Sequence, residues 1–424
     1  MTENNVDYIE KTVLAAVDTG VHDVEQSIAE LAELARTAGA EVVATITQSR
    51  DTPEPRAYFG KGKLEELREC CQANEIDLVI FDDELSPAQH RNIEKFLNPD
   101  EHEAKINTRV IDRTMLILDI FAGRAQSREG KLQVELAQLK YTLPRITGQW
   151  YGLSRQGGGG GGIGARRGRG ETKFETDRRH VRSRIRKLES ELRELEQQRE
   201  LLRERRRKNR AEAVAIVGYT NVGKSTLMNA LTDAGVLVEN KLFATLDPTA
   251  RALTLPDGRQ IMLVDTVGLV RRLPHHLVEA FHSTLEEALN ATLILNVCDI
   301  SSDDFDEQLR VTDEILRELG CEKAGIPVLR VLNKSDLATI EDIPGVRISA
   351  ITGQGLDELL EEIARALPQN RKSVKLLLPY SMSAWGAKLR EHGRVDAEDF
   401  REDGVYYEAV VPVATLEELR EFVL

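Results

Sequence analysis

A glycine-rich run of eight residues does most to limit what this chain can fold into. The run fits the pattern GxxxxGK[ST] and consists of Gly218, Tyr219, Thr220, Asn221, Val222, Gly223, Lys224 and Ser225. The apolar stretch 213–217 before it predicts a buried strand. Backbone N–H groups of such a loop and of the following helix converge on phosphate oxygens, while Lys224 adds charge and Ser225 is a ligand for Mg²⁺. The run therefore predicts a nucleoside triphosphate site.

The length of the chain and the distribution of its charge set the outer limits. At 424 residues the chain is too long to fold around one hydrophobic core, and we expect about three domains of roughly 100–200 residues each. It has no run of about 18 apolar residues, so we expect a cytoplasmic chain without a membrane span. The net charge is −14, yet residues 145–210 hold 20 Lys and Arg against 9 Asp and Glu. That segment is suited to a polyanion.

The hydrophobic pattern divides the chain into four predicted pieces of a multidomain α/β protein. Residues 1–112 alternate short strands with helices, which is typical of a small parallel α/β domain. Residues 113–210 predict a helical hairpin arm with a tip loop at 144–173. Residues 211–367 predict the P-loop nucleotide domain, and residues 368–424 a small C-terminal α/β domain.

Two apolar series on three-and-four spacing predict the arm. One runs from Met115 to Leu143 and the other from Phe174 to Leu202. Two helices of similar length would pack antiparallel, each seam burying the other. At about 1.5 Å per residue, such an arm would reach roughly 40 Å.

The tip loop is rich in glycine and arginine. Its six consecutive glycines, Gly157–Gly162, cannot pack a core, so the loop is either a disordered linker or a functional tip. Arginine donates to phosphate and stacks on bases, and glycine lets a backbone approach closely, which favours RNA. The candidate RNA contacts are Arg155, Gln156, Gly157, Gly158, Arg166, Arg167 and Arg169. The arginines of the following helix are equally compatible with a solvated coiled-coil surface.

Three further motifs follow the phosphate-binding run in order. Asp265, Thr266, Val267 and Gly268 end an apolar strand, where the carboxylate can hold Mg²⁺ through water and the glycine N–H can approach a γ-phosphate. The second motif is Asn333, Lys334, Ser335 and Asp336. Asp336 can accept hydrogen bonds from two N–H groups of guanine, whereas adenine would leave it unpaired. In the third motif, backbone N–H groups of Ser349, Ala350 and Ile351 can cap the base. Together they predict a guanine-nucleotide site.

A switch segment is expected between the phosphate-binding run and Asp265. Its candidate residues are Phe243, Ala244, Thr245, Leu246 and Asp247. One threonine of such a segment closes on Mg²⁺ and the γ-phosphate. Composition does not choose between Thr245 and Thr249.

In this order the motifs resemble those of the HflX family of translation-associated GTPases. They read GYTNVGKS, FATLDPT, DTVG, NKSD and SAI, after an arm segment RQGGGGGGIGARRGRGETKFETDRR. The resemblance implies GTP and GDP as ligands and Thr245 as the switch threonine that binds Mg²⁺ with Ser225. We assign catalysis to Lys224, Thr245 and Gly268.

The same resemblance implies the large ribosomal subunit as partner. The family places its arm tip near the peptidyl-transferase centre and in bacteria splits stalled ribosomes, and we expect a monomer. The family's tip usually reads Gly-Pro-Gly-Glu, whereas Arg169 stands in the proline position here. The resemblance therefore predicts the identity of the tip more firmly than its geometry.

The residue after the Asp-x-x-Gly motif predicts slow intrinsic hydrolysis. Many GTPases place a water-orienting glutamine there, but this chain has Leu269. A partner or an ion would then supply the catalytic contribution that the glutamine makes in other GTPases. Asn221 occupies the position at which related GTPases without the glutamine bind K⁺, and a residue that only shapes the loop is an equal alternative.

Two other functions fit the sequence. One is a GTP-gated assembly factor for the large subunit, and the other is a nucleotide-controlled coiled-coil scaffold whose glycine loop is passive. A second ATP site around Gly60–Lys63 is a weaker hypothesis, because that segment lacks the phosphate-loop spacing.

Overall fold

Two compact units make up the chain. The computed structural model describes residues 9–99, 107–145, 170–208, 212–232, 242–243, 249–272, 289–338, 343–368, 371–382, 384–392 and 394–424. The first unit comprises Met1–Glu204, Glu239–Asp247 and Arg271–Ser283, and the second comprises Arg205–Val238, Pro248–Val270 and Thr284–Leu424. The predicted boundaries at 112, 210 and 367 remain predictions.

A four-stranded sheet forms the core of the first unit. Its strands are β1 (Lys11–Asp18), β2 (Glu41–Ser49), β3 (Leu78–Phe81) and β4 (Arg109–Asp112). The helices between them are α1 (Val24–Thr37), α2 (Lys61–Ala73) and α3 (Pro87–Leu97). The order is β2-β1-β3-β4, and all neighbouring strands are parallel. The predicted parallel α/β domain is therefore confirmed.

Two short helices replace the predicted first helix of the arm. The prediction of one helix from Met115 to Leu143 is wrong, because α4 (Arg113–Arg124) ends before α5 (Arg128–Thr142) begins. The hydroxyl of Ser127 accepts a hydrogen bond from the N–H of Gly130 at 2.9 Å and so caps a new helix. Helix α4 is buried over most of its surface and belongs to the core of the first unit.

Helix α6 (Gly170–Lys208) is 39 residues long, against 15 for α5, so the two are not of similar length as predicted. Glu129 pairs with Arg199 at 2.5 Å, and Glu135 pairs with Arg184 at 2.6 Å. Residue numbers rise along α5 as they fall along α6, so the two helices run antiparallel. Leu188 is fully buried on α6.

A buried ionic cluster at the carboxyl end of β3 ties distant segments of the first unit together. Asp82 accepts hydrogen bonds from the guanidinium groups of Arg113 and Arg272, each at 2.9 Å. Burial alone would raise the pKa of Asp82, but the two arginines lower it below its ordinary value. Asp83 also pairs with Arg272. The chain that follows Val270 is thus held by β3 within this unit.

A six-stranded sheet forms the core of the second unit. Its strands are β5 (Glu212–Gly218), β6 (Thr249–Thr254), β7 (Gln260–Asp265), β8 (Leu293–Asp299), β9 (Val328–Asn333) and β10 (Val346–Arg347). The helices are α7 (Lys224–Thr232), α8 (Phe305–Leu319) and α9 (Leu356–Ala366). The order is β10-β9-β8-β5-β7-β6, and only β6 is antiparallel to its neighbour. Because parallel strands share their carboxyl edge, the motifs that follow β5, β7 and β9 meet there.

A three-stranded antiparallel sheet completes the second unit. It consists of β11 (Arg371–Leu378), β12 (Arg394–Arg401) and β13 (Gly404–Pro412), in the order β11-β13-β12, with helices α10 (Ala384–His392) and α11 (Val413–Glu418). Strand β12 was not predicted. Within the described part of the chain, we find no helix long and apolar enough to cross a membrane.

Candidate functional site

The phosphate-binding loop joins β5 to α7, and two glycines fit places where a side chain cannot. A Cβ on Gly218 would collide with the backbone carbonyl of Val297 on β8. Gly223 has a φ of +94°, and a Cβ there would overlap the side-chain amide of Asn333. Asn221 is exposed, with a φ of +62°. The loop therefore packs closely against β8 and β9, which lie on the same side of β5 in the sheet.

Lys224 is buried at the start of α7. Its ammonium group donates hydrogen bonds to the backbone carbonyls of Gly218 at 3.1 Å and Tyr219 at 2.7 Å. Burial lowers the pKa of Lys224 to about 8, against the opposing effect of the Asp265 carboxylate. The lysine charge is thus held inside its own loop by neutral carbonyl groups.

Ser225 and Asp265 form a pair of oxygen ligands suited to Mg²⁺. The hydroxyl of Ser225 donates to a carboxylate oxygen of Asp265 at 2.8 Å, across 40 positions of sequence. Asp265 is buried at the end of β7. A hard cation bound mainly by water and phosphate needs only one or two such protein oxygens, so the pair fits Mg²⁺. In the described residues, no cluster of three or more His, Cys, Asp or Glu side chains offers another metal site.

The Asp265-Thr266-Val267-Gly268 motif is joined to the phosphate-binding loop by backbone hydrogen bonds just beyond it. The N–H of Thr220 donates to the carbonyl of Leu269 at 2.7 Å, and the N–H of Leu269 donates to the carbonyl of Gly218 at 3.1 Å. The Leu269 side chain is completely buried. The residue in the usual glutamine position is therefore packed in the interior.

Asn333 connects the phosphate-binding loop with the segment predicted to bind the base. Its side-chain amide donates to the carbonyl of Val222 at 2.8 Å, and its side-chain oxygen accepts from the N–H of Ala350 at 3.0 Å. The Ala350 N–H is one of the three groups that the sequence predicts to cap the base, but in the structure it is engaged by Asn333.

Lys334 and Asp336 lie at the exposed side of this region. Lys334 has a φ of +63°, and its ammonium group pairs with Asp299 at 2.6 Å. Asp299 ends β8 and was missed by sequence reasoning, although an acidic residue after the apolar run 293–298 is a detectable signal. Asp336 is exposed, whereas Ser349 is fully buried and accepts a hydrogen bond from the N–H of Thr352. Ile351 is also exposed.

The remaining predicted site residues make other contacts or lie outside the described residues. Phe243 belongs to the first unit, where its buried ring packs edge-on against the ring of Phe121, with the ring centroids 4.6 Å apart. Thr266 is buried and donates to the carbonyl of Ile216. Outside the described residues lie Ala244, Thr245, Leu246 and Asp247, and also the candidate RNA contacts Arg155, Gln156, Gly157, Gly158, Arg166, Arg167 and Arg169.

Three stretches of the chain match known protein families. Residues 25–122 match the family described as GTP-binding GTPase N-terminal, residues 124–206 the GTP-binding GTPase Middle Region, and residues 213–334 the 50S ribosome-binding GTPase family. A GTPase HflX of Caldanaerobacter subterraneus subsp. tengcongensis is 50% identical over 420 residues, which span 98% of this chain and 94% of that protein. The chain belongs to the HflX family.

Other HflX proteins are similar over most of their length. GTPase HflX of Escherichia coli is 41% identical over 391 residues, spanning 89% of this chain and 88% of that protein. Among solved structures, a GTP-binding protein from Sulfolobus solfataricus in complex with GDP is 26% identical and has a TM-score of 0.45, covering 84% of this chain and 98% of that one. This HflX chain is a GTP-hydrolysing enzyme, so the predicted family and activity are confirmed.

Proposed function

We propose that this HflX GTPase binds the large ribosomal subunit, inserts its arm tip near the peptidyl-transferase centre, and splits or rescues stalled ribosomes with GTP hydrolysis. The main support for nucleotide binding is the pair of hydrogen bonds made by the Asn333 side chain, which join the phosphate loop at Val222 to the segment that contains Ala350. That link places Asp336 on the same loop as a residue fixed to the phosphate site. We assign guanine recognition to Asp336, because its carboxylate can accept two hydrogen bonds from guanine and would be left unpaired by adenine.

Nucleotide binding rearranges two contacts within the site. Lys224 exchanges the carbonyls of Gly218 and Tyr219 for phosphate oxygens, which are stronger partners for a buried charge. In place of the hydrogen bond between them, Ser225 and Asp265 would hold Mg²⁺, Asp265 through water, together with Thr245 of the switch segment. The ion would neutralise charge on the phosphate oxygens. The N–H of Gly268 donates to the γ-phosphate, so these residues together favour the charge distribution of the transition state.

The ribosomal part rests on charge and on the family match. Residues 145–210 carry 20 Lys and Arg against 9 Asp and Glu, in a chain of net charge −14. A basic segment of this kind suits ribosomal RNA. Residues 213–334 match the family described as 50S ribosome-binding GTPase. We place the protein in the cytoplasm as a monomer.

GTP hydrolysis with and without purified large subunits tests this proposal. We expect strong stimulation of the wild type and its loss when Arg166, Arg167 and Arg169 are all replaced by alanine. The matched control replaces Arg178, Arg182 and Arg186 by alanine. These three arginines lie exposed on α6, and their replacement removes the same charge. Equal stimulation of the wild type and the tip variant would contradict a functional tip. No stimulation of the wild type would contradict a ribosomal partner.

Sedimentation of intact ribosomes separates splitting from assembly. With a non-hydrolysable GTP analogue, we expect 70S particles to dissociate when the protein is added. Binding to free large subunits without loss of 70S particles would instead favour the assembly factor.

The K⁺ proposal rests on Asn221, which is exposed in the phosphate-binding loop. We expect hydrolysis to be faster in K⁺ than in Na⁺ at equal ionic strength. An equal rate in the two salts would leave Asn221 as a residue that shapes the loop.

A further inference from the structure

Thr220 lies in the phosphate-binding loop, and its hydroxyl group makes no hydrogen bond to the described residues. The residue is 5% exposed, and its Oγ1 has no hydrogen-bond partner among the residues that the structure describes. A buried hydroxyl without a partner is destabilising, and such groups are rare outside functional sites. The backbone N–H of the same residue is engaged by Leu269. The hydroxyl therefore makes no hydrogen bond to the described residues that would hold the loop together.

The position of Thr220 links this hydroxyl to the γ-phosphate end of the site. The Thr220 methyl carbon lies 2.6 Å from the point that a Cβ on Gly268 would occupy, and the Lys224 Nζ lies 3.1 Å from the same point. Gly268 and Lys224 are the two groups that approach the γ-phosphate in a GTPase of this type. Thr220 thus borders the same small volume as the groups that contact the reacting phosphate.

The chemistry of the site leaves a task for a neutral hydroxyl there. Hydrolysis forms a bond between a water oxygen and the γ-phosphorus and breaks the bond to the β,γ-bridging oxygen, while the water proton passes to phosphate. Some group must hold the water in line. Leu269 has no polar side-chain atom, and its side chain is fully buried. A threonine hydroxyl can accept one hydrogen bond and donate another.

We infer that Thr220 is a catalytic residue whose hydroxyl accepts a hydrogen bond from the attacking water and donates one to a γ-phosphate oxygen. The hydroxyl keeps its proton throughout, so it orients the water without acting as a base. This inference rests on the GTPase activity alone and does not depend on the ribosomal partner. It also accounts for the loss of the usual glutamine, because the water is held from the phosphate loop instead.

The test compares Thr220→Val, Thr220→Ser and Thr220→Ala in intrinsic GTP hydrolysis without ribosomes. Valine keeps the shape and removes the hydroxyl, and serine keeps the hydroxyl. We expect kcat to fall by about tenfold or more in the valine and alanine variants and to stay within about threefold in the serine variant. GDP affinity should change by less than about twofold in the valine variant. Its Tm should equal or exceed that of the wild type, because an unpartnered buried hydroxyl has been removed.

A purely structural Thr220 predicts a different pattern. The valine variant would then hydrolyse GTP at the wild-type rate, or would lose GDP affinity and rate together, and either result overturns the inference. If the valine variant fails to fold, equal rates in the serine and alanine variants overturn it. A wild type that binds GDP but hydrolyses no GTP would instead contradict the GTPase function itself, so the two failures are distinguishable.

Discussion

The side-chain amide of Asn333 donates a hydrogen bond to the backbone carbonyl of Val222 at 2.8 Å, across 111 positions of sequence. Val222 lies two residues before Lys224 in the phosphate loop, and Asn333 begins the motif that contains Asp336. The other end of the Asn333 side chain accepts from the N–H of Ala350. One buried amide therefore joins the phosphate-binding loop to the segment that contains Ala350.

Replacing Asn333 by alanine should uncouple these parts. We expect GDP affinity to fall by about 10- to 100-fold, because two hydrogen bonds of about 1 kcal/mol each are lost and their backbone partners lose their alignment. Calorimetric titration with GDP measures the change. The control is Asn296→Ala, which removes another buried asparagine, on β8. A similar loss of affinity in the control would contradict a specific role for Asn333.

The lowered pKa of Lys224 predicts that GDP affinity depends on pH. Burial lowers this pKa to about 8, so the ammonium group loses its proton as the pH rises above that value. Bound phosphates favour the charged form, so binding takes up a proton and weakens as the pH rises. We expect affinity to fall by about fourfold from pH 7 to 8.5. In Lys224→Arg the charge persists, and the dependence should vanish. A flat profile in the wild type would refute this reading.

Leu269→Gln should not restore the activity of a glutamine GTPase. The Leu269 side chain is fully buried, and the backbone is bonded to the phosphate loop on both sides of Tyr219. We expect no increase in kcat and a loss of about 1–3 kcal/mol in the free energy of unfolding, because an amide is buried in place of an alkyl group. Leu424→Gln, at an exposed leucine, should leave stability unchanged. A faster Leu269→Gln enzyme would mean that this side chain reaches the attacking water.

The stability that α6 adds to the first unit should depend on apolar burial more than on its ion pairs with α5. Leu188 is fully buried, whereas the side chains of Arg184 and Glu135 are each about 40% exposed. We expect Leu188→Ala to cost about 2–4 kcal/mol in unfolding free energy. Arg184→Ala should cost less than about 1 kcal/mol. Denaturant unfolding of both variants measures this, and equal costs would contradict the difference.

The sequence predicts this fold best where burial is continuous. Apolar runs such as Leu78–Phe81 form strands close to the predicted bounds, because every side chain is buried in a parallel sheet. Strand β12 escaped prediction because five of its eight residues are charged, which is typical of an exposed edge strand. The break between α4 and α5 escaped prediction because the apolar spacing continues across it. A single cap at Ser127 decides the break there.

The candidate site, like the fold, could be predicted from the sequence only in part. Motif order alone brings Ser225 and Asp265 to one sheet edge, because parallel strands share their carboxyl ends. An acidic residue at the end of β8 is visible in the sequence, but its pairing with Lys334 is not, because that contact depends on tertiary packing between strands. The same holds for the Thr220 hydroxyl, which has no hydrogen-bond partner among the described residues.

Guanine recognition by Asp336 is the central proposal, and titration of GDP and XDP into the wild type and Asp336→Asn tests it most directly. Asparagine offers an N–H donor to the second carbonyl of xanthine and no longer accepts two hydrogen bonds from guanine. We predict that the variant loses at least about 100-fold in GDP affinity and gains affinity for XDP, while the exposed control Asp357→Asn binds GDP as the wild type does. Unchanged GDP affinity in Asp336→Asn, with no gain for XDP, would contradict it.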